Sequence, residues 1–428
     1  MPTKPHLPRC RAAALPPLLP LLPLLPLLPL LPLLTLGCGG EAAGSVSRWS
    51  GTMDTLPSGQ VEVTNPPEGA WDSTSAWRVV EELRIGTLEG DGPDLFGEVQ
   101  AVEIDPQGRL WVLEGQSQEL RVFDRDGRHV RTIGRKGGGP GEFAQPIGMA
   151  WSAAGQLWVP DPENNRISIV DTAGTFVGSH RMIGGFMVVP WPGGFDTAGF
   201  FYNFLPDMKA GRDFRLVMVR YDTALTVRDT LVPPRWQGPQ EYFELVSADG
   251  HSRMRSSVPF TPGLDWELTP AGDFWFVHTG PYELYRVNAA GDTVRKATRP
   301  FEPVAVTGED VDSAVAGLEW FTKQGGKLDR SRIPGVKPAV RQFFVADDGY
   351  LWVEPNTPDR HDRGRLYEVF DPEARYLGRV RLPFELSGTP PVIRGDLFVA
   401  VVRDELEVPF VVRARIVKGG EGRNVAER

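Results

Sequence analysis

Short apolar strands recur along the chain, and each of them follows a turn that contains glycine. One such unit, DPQGRLWV at 105–112, reappears as AAGQLWV at 153–159. Later copies read PAGDFWF at 270–276, DDGYLWV at 347–353 and, less regularly, RGDLFV at 394–399. A glycine turn followed by an apolar run is typical of β-hairpins. The pattern therefore predicts an all-β protein with little helix.

A second alternating strand follows most copies, for example LRVFD at 120–124 and ISIVD at 167–171. Another turn and a fourth strand come next, as in DRDGRHVRTI at 124–133. The turn glycines Gly108 and Gly155 lie 47 residues apart. Four short strands repeated every ~40–50 residues are typical of the blades of a β-propeller.

Counting these units predicts a six-bladed β-propeller. The last unit has only three strands, and the isolated strand Trp77–Ile85 could supply its fourth. Such a closure by an N-terminal strand would leave no open sheet edge. The predicted blades are 96–143, 144–185, 186–236, 258–306, 336–386 and 387–416.

Two segments interrupt the repeat. Residues 307–335 begin with a cluster of Asp and Glu and are predicted to form a short helical insertion. Residues 237–257 form a second insertion whose pattern does not indicate a particular structure. The propeller is expected to occupy 76–416, with a disordered tail at 417–428.

The first 37 residues have the features of a signal peptide of the lipoprotein type. Three basic residues precede an uncharged stretch, 12–36, in which proline stands at every third position from Pro17 to Pro32. Repeated prolines disfavour a stable transmembrane helix. The run LTLGCGG resembles a bacterial lipobox, which implies that Cys38 is lipidated. A simple cleaved signal and a start at Met53 are the alternatives.

Composition narrows the functional classes. The formal net charge is −9, and no basic stripe suits a phosphate backbone, so a nucleic-acid partner is not expected. Cleavage before Cys38 would leave one of the two cysteines and no intrachain disulfide. Residues 38–75 are rich in Gly, Ser, Thr and Pro and are predicted to be a flexible tether.

The run GGGPGEFAQPIGMAWSAAGQLWVPDPENNRISIVDTAGTFV at 137–177 resembles an NHL repeat. Blade one carries Glu114 in place of the NHL aspartate, and the other blades keep only the turn and the aromatic strand. The resemblance, to exported bacterial six-bladed NHL-like propellers, implies their fold, and the functions of such proteins are broad. The matching residues are Gly137, Gly139, Gly141, Phe143, Pro146, Gly148, Gly155, Asp161, Asn165, Arg166 and Ile167.

Two sets of polar side chains are candidates for a site in the central channel. Alternate residues of an inner strand share a face, so one register of these strands should face the channel. Oxygen ligands suit calcium, and the resemblance implies a central metal in the lactonases and lyases among such propellers. No other cofactor is expected. The candidate channel or metal ligands are Glu103, Asp265, Glu267 and Gln342.

The second set follows the tryptophan strand and would lie at the channel rim. Its members are Glu114, Asp161, His278 and Glu354. The alternative for both sets is that these side chains are solvated or cap loops. A related choice concerns Trp111, Trp158, Trp275 and Trp352, which either pack between blades or stack on sugars.

The chain carries no GxSxG and no HExxH motif, and its catalytic residues are not identified. We therefore expect an exported, lipid-anchored, monomeric propeller that binds a protein, peptide or glycan at the bacterial cell envelope. Its contact with the membrane would be through the N-terminal lipid. The alternative is a metal-dependent, lactonase-like hydrolase or lyase that uses the channel carboxylates.

Overall fold

A computed structural model describes residues 49–182, 191–207, 216–233, 238, 241–247 and 253–419. The predicted signal peptide, Cys38 and the last nine residues of the predicted tail lie outside the described residues. The tail prediction is wrong at its start, because Val417 ends a strand and Lys418 lies over the Trp77 ring at 4.6 Å.

Five antiparallel four-stranded sheets and one six-stranded sheet, in which β18 to β21 form the antiparallel blade four, confirm the predicted six-bladed propeller. Three strands precede the first blade: β1 (Thr52–Thr55), β2 (Val61–Thr64) and β3 (Arg78–Ile85). Blade one contains β4 (Val99–Ile104), β5 (Leu110–Glu114), β6 (Glu119–Phe123) and β7 (His129–Ile133). Blade two contains β8 (Ala150–Trp151), β9 (Gln156–Asp161), β10 (Arg166–Asp171) and β11 (Phe176–Arg181). Blade three contains β12 (Gly194–Phe195), β13 (Phe201–Pro206), β14 (Leu216–Tyr221) and β15 (Val227–Leu231).

The remaining blades follow two further strands, β16 (Tyr242–Val246) and β17 (Arg253–Ser257). Blade four contains β18 (Leu264–Leu268), β19 (Phe274–His278), β20 (Glu283–Val287) and β21 (Thr293–Thr298). Helices α1 (Gly308–Ala316) and α2 (Glu319–Lys323) come next. Blade five contains β22 (Val340–Val345), β23 (Leu351–Pro355), β24 (Leu366–Phe370) and β25 (Tyr376–Arg381). Blade six contains β26 (Val392–Arg394), β27 (Leu397–Arg403), β28 (Pro409–Val417) and β3.

The repeated turn glycines all adopt a left-handed backbone conformation. Their φ angles lie between 62° and 83° in the five copies of the motif. Side chains strain the backbone in this region, whereas glycine adopts it freely. The recurrence of glycine at this position is thus explained by the hairpin geometry. The five residues are Gly108, Gly155, Gly272, Gly349 and Gly395.

The recurrent tryptophans pack between neighbouring blades and are buried. Trp111 contacts a cluster that includes Met149 and Leu157 of blade two. Trp352 lies in a cluster with Phe398 of blade six. Trp158 and Trp275 likewise join clusters that span their own and the following blade. The packing interpretation is therefore correct, and no tryptophan ring lines up for sugar stacking at this position.

The chain closes as predicted. Strand β3 pairs antiparallel with β28, from Ile85 opposite Val411 to Arg78 opposite Val417. Trp77 and Ile85 enter the hydrophobic clusters on the two sides of blade six. Strand pairing between the two ends of the chain thus completes the last blade and leaves no unpaired strand there.

The prediction of a flexible tether is wrong for residues 49–75. Strands β1 and β2 form a hairpin, and β2 pairs in parallel with β21 at the outer edge of blade four. The buried Asn65 then donates to the carbonyl of Ala374 and accepts from the amide of Tyr376. The composition of this segment led to the wrong prediction because only a few of its residues, including the buried Val63, decide how it packs. We call residues 49–76 the N-terminal strap.

The two insertions pack together and form what we call the cap, residues 241–247, 253–258 and 307–335. Helix α1 is held by a capping box between Thr307 and Asp310, as its acidic N-terminus indicated. Phe243 and Val258 from the hairpin β16–β17 share a small core with Phe321 of α2. Both irregular stretches of the sequence thus build one structural unit.

Deleting residues 1–90 removes β3 together with the strap. We expect this deletion to lower the free energy of unfolding by several kcal/mol, because it exposes the edge of β28 and uncovers the core of blade six. Urea denaturation of the deleted protein and of a protein that starts at residue 49 measures the difference.

A matched pair of point variants isolates the role of β3. Val79 is 7% exposed and packs between blades five and six, whereas Val80 is 47% exposed. Val79→Ala should cost about 2 kcal/mol and Val80→Ala less than about 0.5 kcal/mol. Equal costs for the two variants would contradict the packing assigned to this strand.

Candidate functional site

The innermost strands of all six blades enclose one central cavity of about 650 Å³. Its wall includes Glu103 of β4, Trp151 of β8, Phe195 of β12, Glu267 of β18, Val345 of β22 and Arg394 of β26. The turns that follow these strands also line the cavity, through Pro106, Pro270 and Asp347. Because it depends on every blade, it forms only in the closed ring.

Glu103 and Glu267 lie at equivalent positions of two inner strands. Glu103 is opposite Trp111 in its sheet, and Glu267 is opposite Trp275. The sequence register therefore predicted correctly that these two carboxylates are equivalent. Phe344, at the same register opposite Trp352, instead packs in the core between blades five and six.

Few cations or hydrogen-bond donors lie close enough to balance the negative charge of these two carboxylates. The Glu103 carboxylate lies 3.4 Å from the Arg394 guanidinium. The Glu267 carboxylate has no hydrogen-bond or ion-pair partner among the described residues. Burial raises the pKa of Glu103 to about 7, although Arg394 opposes the rise. Burial, together with the neighbouring Asp265, raises the pKa of Glu267 to about 8.

The charged residues of the cavity wall are mostly acidic. Four acids and one arginine line it: Glu103, Asp196, Glu267, Asp347 and Arg394. Asp196 and Asp347 are engaged locally, since Asp196 accepts from the hydroxyl of Tyr202 and Asp347 from the amide of Gly395. The potential in the cavity is therefore negative, and Glu267 is the acid with the fewest local contacts.

Aromatic side chains complete the wall. Trp151 packs edge-on against Trp111, with ring centroids 5.2 Å apart, and also borders the cavity. Its indole N–H has no hydrogen-bond partner among the described residues. Trp191 borders the cavity too, and its indole donates to the side-chain oxygen of Asn203. Carboxylates beside indole rings can hold a cation.

The other two members of the predicted channel set do not join Glu103 and Glu267 in this cavity. Asp265 is exposed and lines a separate cavity of about 310 Å³ with Thr279 and Arg341. Gln342 donates from its side-chain amide to Glu354 at 2.7 Å. The set is thus divided because Gln342 satisfies a carboxylate of its own blade.

Three of the four predicted rim residues fasten loops. Glu114 accepts from the amides of Gly97 and Glu98 at 2.9 Å, and Asp161 accepts from those of Ala144 and Gln145. Although burial alone would raise the pKa of Glu114, hydrogen bonds from Ser117 and the backbone hold it below its usual value. The loop-capping alternative is therefore the one that the geometry supports.

Glu354 has the same role in blade five. It accepts from the amide of Gly364 at 2.8 Å, from the Gln342 amide and from Arg341 at 2.9 Å. In blade four, Thr279 performs this task, since its hydroxyl accepts from the amide of Gly263. The alignment of the repeats assigned this position to His278, whereas the residue that makes the hydrogen bond is the next one, Thr279.

His278, the fourth predicted rim residue, lies beside Thr279 on the last position of β19. Its Nδ1 is 3.5 Å from Glu283, and its ring packs on Tyr285 with centroids 4.8 Å apart. Across the described residues, no three Asp, Glu, His or Cys side chains are grouped so that they could hold a metal ion. In the same part of the chain, no helix has the length and apolar character that a bilayer span requires.

Sequence reasoning missed the residues of the cavity that lie outside the carboxylate register. Arg394 stands in the least regular copy of the repeat, and Trp191 lies in a connection without a strand pattern. The strand β8, which carries Trp151, is only two residues long. Inner strands that are short give little periodicity, so their orientation could not be derived.

The raised pKa of Glu267 should make stability depend on pH. The folded state retains its proton up to about pH 8, whereas the unfolded chain releases it near the ordinary value of 4.5. The contribution to stability is therefore complete below pH 4.5 and is lost as the pH rises through 8. We expect Glu267→Gln to match the wild-type protein at pH 5 and to exceed it in stability at pH 8.5, as measured by urea denaturation.

Glu163→Gln provides the control, because Glu163 is exposed and lies outside the cavity. It should change the free energy of unfolding equally little at both pH values. A difference between Glu267→Gln and wild type that is constant from pH 5 to 8.5 would show that the Glu267 carboxylate titrates normally.

Comparison with known proteins agrees with the architecture. The DUF5128 family model, a six-bladed β-propeller, matches residues 81–177. A search among curated proteins finds no significant match. A Bacteroides fragilis protein described as exported is 14% identical, with a TM-score of 0.48, over 83% of this chain and 100% of that one.

Two similar structures are enzymes. Virginiamycin B lyase from Staphylococcus aureus is 10% identical over 80% of this chain and 100% of its own, with a TM-score of 0.42. A gluconolactonase from Xanthomonas campestris is 13% identical over 75% and 88%, with a TM-score of 0.34. Likeness at this level assigns no activity. With its six blades, its closing strand and the matching family model, this chain is a six-bladed β-propeller.

Proposed function

We propose that this chain is an exported, lipid-anchored binding protein whose central cavity receives a cationic group of a peptide or protein ligand. The observation that carries the proposal is the Glu267 carboxylate, which lies partly buried in an acidic cavity and has no partner among the described residues. A buried charge without a partner is costly, and a bound cation would remove that cost.

The shape and the lining of the cavity support a ligand of this kind. A volume of about 650 Å³ accommodates one or two long side chains rather than a folded domain. The methylene groups of a lysine or arginine could pack on Trp151 and Phe195, while the charged end approaches Glu267. The prolines in the lining restrict backbone motion and help to preserve the shape of the cavity.

Binding is favoured over the hydrolase or lyase alternative by the distribution of the carboxylates. The predicted ligand set is divided between Glu103 and Glu267 in the cavity, Asp265 in a second cavity and Gln342 beside Glu354. A calcium site would require several oxygens at about 2.3–2.6 Å from one ion. A calcium-dependent rise in the melting temperature that Glu267→Gln abolishes would restore that alternative.

The proposal of export and anchoring rests on the leader sequence. A positive N-terminal region, an uncharged stretch and the small residues around Cys38 are the features that secretion and lipidation require. A single lipid chain binds a membrane only weakly, and several acyl chains on one residue make the attachment stable.

The ligand class can be tested with short peptides. We expect trilysine to bind the mature protein saturably in isothermal titration calorimetry, and triglutamate not to bind. Glu267→Gln should weaken trilysine binding at least about tenfold, the effect of losing one charge-assisted contact. Affinity should rise from pH 6 to 8.5, because the cation requires the ionised form of a carboxylate whose pKa is about 8.

The control for this experiment is Glu163→Gln, which changes the net charge equally and should leave trilysine binding unchanged. Equal binding of trilysine and triglutamate, or unaltered binding to Glu267→Gln, would refute a cationic ligand. Saturable binding of a neutral trisaccharide in place of trilysine would reassign the cavity to glycans.

The anchoring proposal has its own test. In a bacterial host, the protein should partition with membranes and require detergent for release, and Cys38→Ser should yield a soluble or an uncleaved protein. Cell fractionation and mass measurement of the N-terminal fragment distinguish these products. Membrane partitioning that is the same in the Cys38→Ser variant would contradict the lipid anchor.

A further inference from the structure

Another cavity, of about 530 Å³, lies between the cap and blade five. We call it the cap cleft. Helix α1 forms one wall through Asp310, Ser313 and Ala314, and the loop after β23 forms the other. Phe260, which follows the hairpin β16–β17, supplies an apolar surface. The cap is thus positioned so that its two insertions and the propeller share one cleft.

The cap is fixed over blade five by a buried ionic cluster. Asp310 of α1 lies 2.9 Å from the ammonium of Lys337 and 2.9 Å from the guanidinium of Arg360. The backbone amide and the hydroxyl of Thr307 also donate to Asp310. These bonds, which hold the pKa of Asp310 well below its usual value against the effect of burial, make the wall of the cleft rigid.

The cleft differs from the central cavity in the sign of its charge. Four cations line it, namely Lys337, Arg341, Arg360 and Arg363, against the three acids Asp310, Glu354 and Asp359. This excess of positive charge occurs on a chain whose formal net charge is −9. Positive charge confined to a cleft between rigid walls attracts anions.

The acids of the cleft are already occupied by donors. Asp310 already forms ion pairs with Lys337 and Arg360. Glu354 accepts from the Gly364 amide, the Gln342 side chain and Arg341. The side chain of Asp359 accepts from the amide of His361. None of these carboxylates is therefore available as a close partner for a further cation.

Arg363 is the cation of the cleft that lacks a carboxylate partner among the described residues. Its guanidinium has no ion pair and no hydrogen bond with the described residues, although it faces the cleft. The adjacent Arg341 guanidinium, with some burial, lowers the pKa of Arg363. Two guanidinium groups that repel each other in a cleft are an arrangement that an anion between them would stabilise.

We propose that the cap cleft binds the carboxylate or phosphate group of a small organic anion between Arg341 and Arg363. The planar guanidinium fork matches both anions in a bidentate way. Phe260 and Pro259 offer an apolar surface for the organic part of the ligand.

The site is distinct from the central cavity. The cap cleft meets β22 at its first residues, where Arg341 lies, and the cavity meets the same strand at its last residue, Val345. Arg341 and Val345 are four residues apart, which places them roughly 13 Å from each other along the strand, since each residue advances about 3.3 Å. The proposal therefore does not depend on the function proposed for the cavity.

Benzoate, phenyl phosphate and benzyl alcohol are matched probes, because they share a ring and differ in the anionic group. At constant ionic strength, the mature protein should bind at least one of the two anions saturably in isothermal titration calorimetry, and should not bind the alcohol. Which anion binds identifies the source as a carboxylate or a phosphate.

The variant Arg363→Gln should weaken the binding at least about tenfold and leave the fold intact, because this side chain has no partner to lose. Arg363→Lys should restore binding only in part, since an ammonium lacks the planar fork. Arg228→Gln is the control, because it removes the same charge. Arg228 lies on blade three, and its side chain is 54% exposed.

Failure of both anions to bind, or equal binding by wild type and Arg363→Gln, would overturn the proposal. Glu267→Gln should bind the anion as the wild type does. Loss of anion binding in that variant would also overturn it, because the two sites would then not be independent. Loss of trilysine binding with anion binding retained would bear only on the function proposed for the central cavity.

Discussion

The pairing of β3 with β28 is the interaction on which the rest of the structure depends. Each blade packs only against its two neighbours, so an open ring would leave the faces of blades six and one without a partner. The seven residue pairs between Arg78–Ile85 and Val411–Val417 close that gap and bring Trp77 against Tyr350 and Trp352. Because the central cavity takes one wall element from every blade, its existence follows from this single pairing of residues more than 300 positions apart.

The number of donors around each carboxylate separates structural acids from candidate binding acids. Glu114 and Asp161 each receive several hydrogen bonds and hold the loops that lead into their blades. Glu354 receives enough donors to be neutralised within blade five. Glu267 receives none from the described residues, so its carboxylate is available to a ligand once it ionises, near its raised pKa of about 8. The same reasoning, applied to cations, distinguishes Arg363 from the paired Arg360.

Local patterns in the sequence were sufficient for the blades but not for the site. Gly108 and its equivalents revealed the turns because their left-handed backbone geometry favours glycine, and Trp111 revealed the strands because a bulky residue recurs there between blades. The equivalence of Glu103 and Glu267 followed from the same register. Where Gln342 points depends on Glu354, and the course of the strap depends on a few contacts of Asn65 with blade five. Such long-range contacts leave no periodic signal, and for that reason the cap cleft and the folded strap were not foreseen.

If Cys38 carries a lipid, as proposed above, the strap would also limit how far the propeller can move from a membrane. An unstructured linker over 38–75 could extend on the order of 130 Å, at about 3.5 Å per residue. Because the strap is attached to the propeller, a lipid on Cys38 could lie at most roughly 40 Å from Trp49, which is the fully extended length of the eleven residue steps between them. The outer edge of blade four, where β2 is attached, would then stay near the lipid surface, and the protein would meet ligands within a thin layer above the bilayer at a high effective concentration.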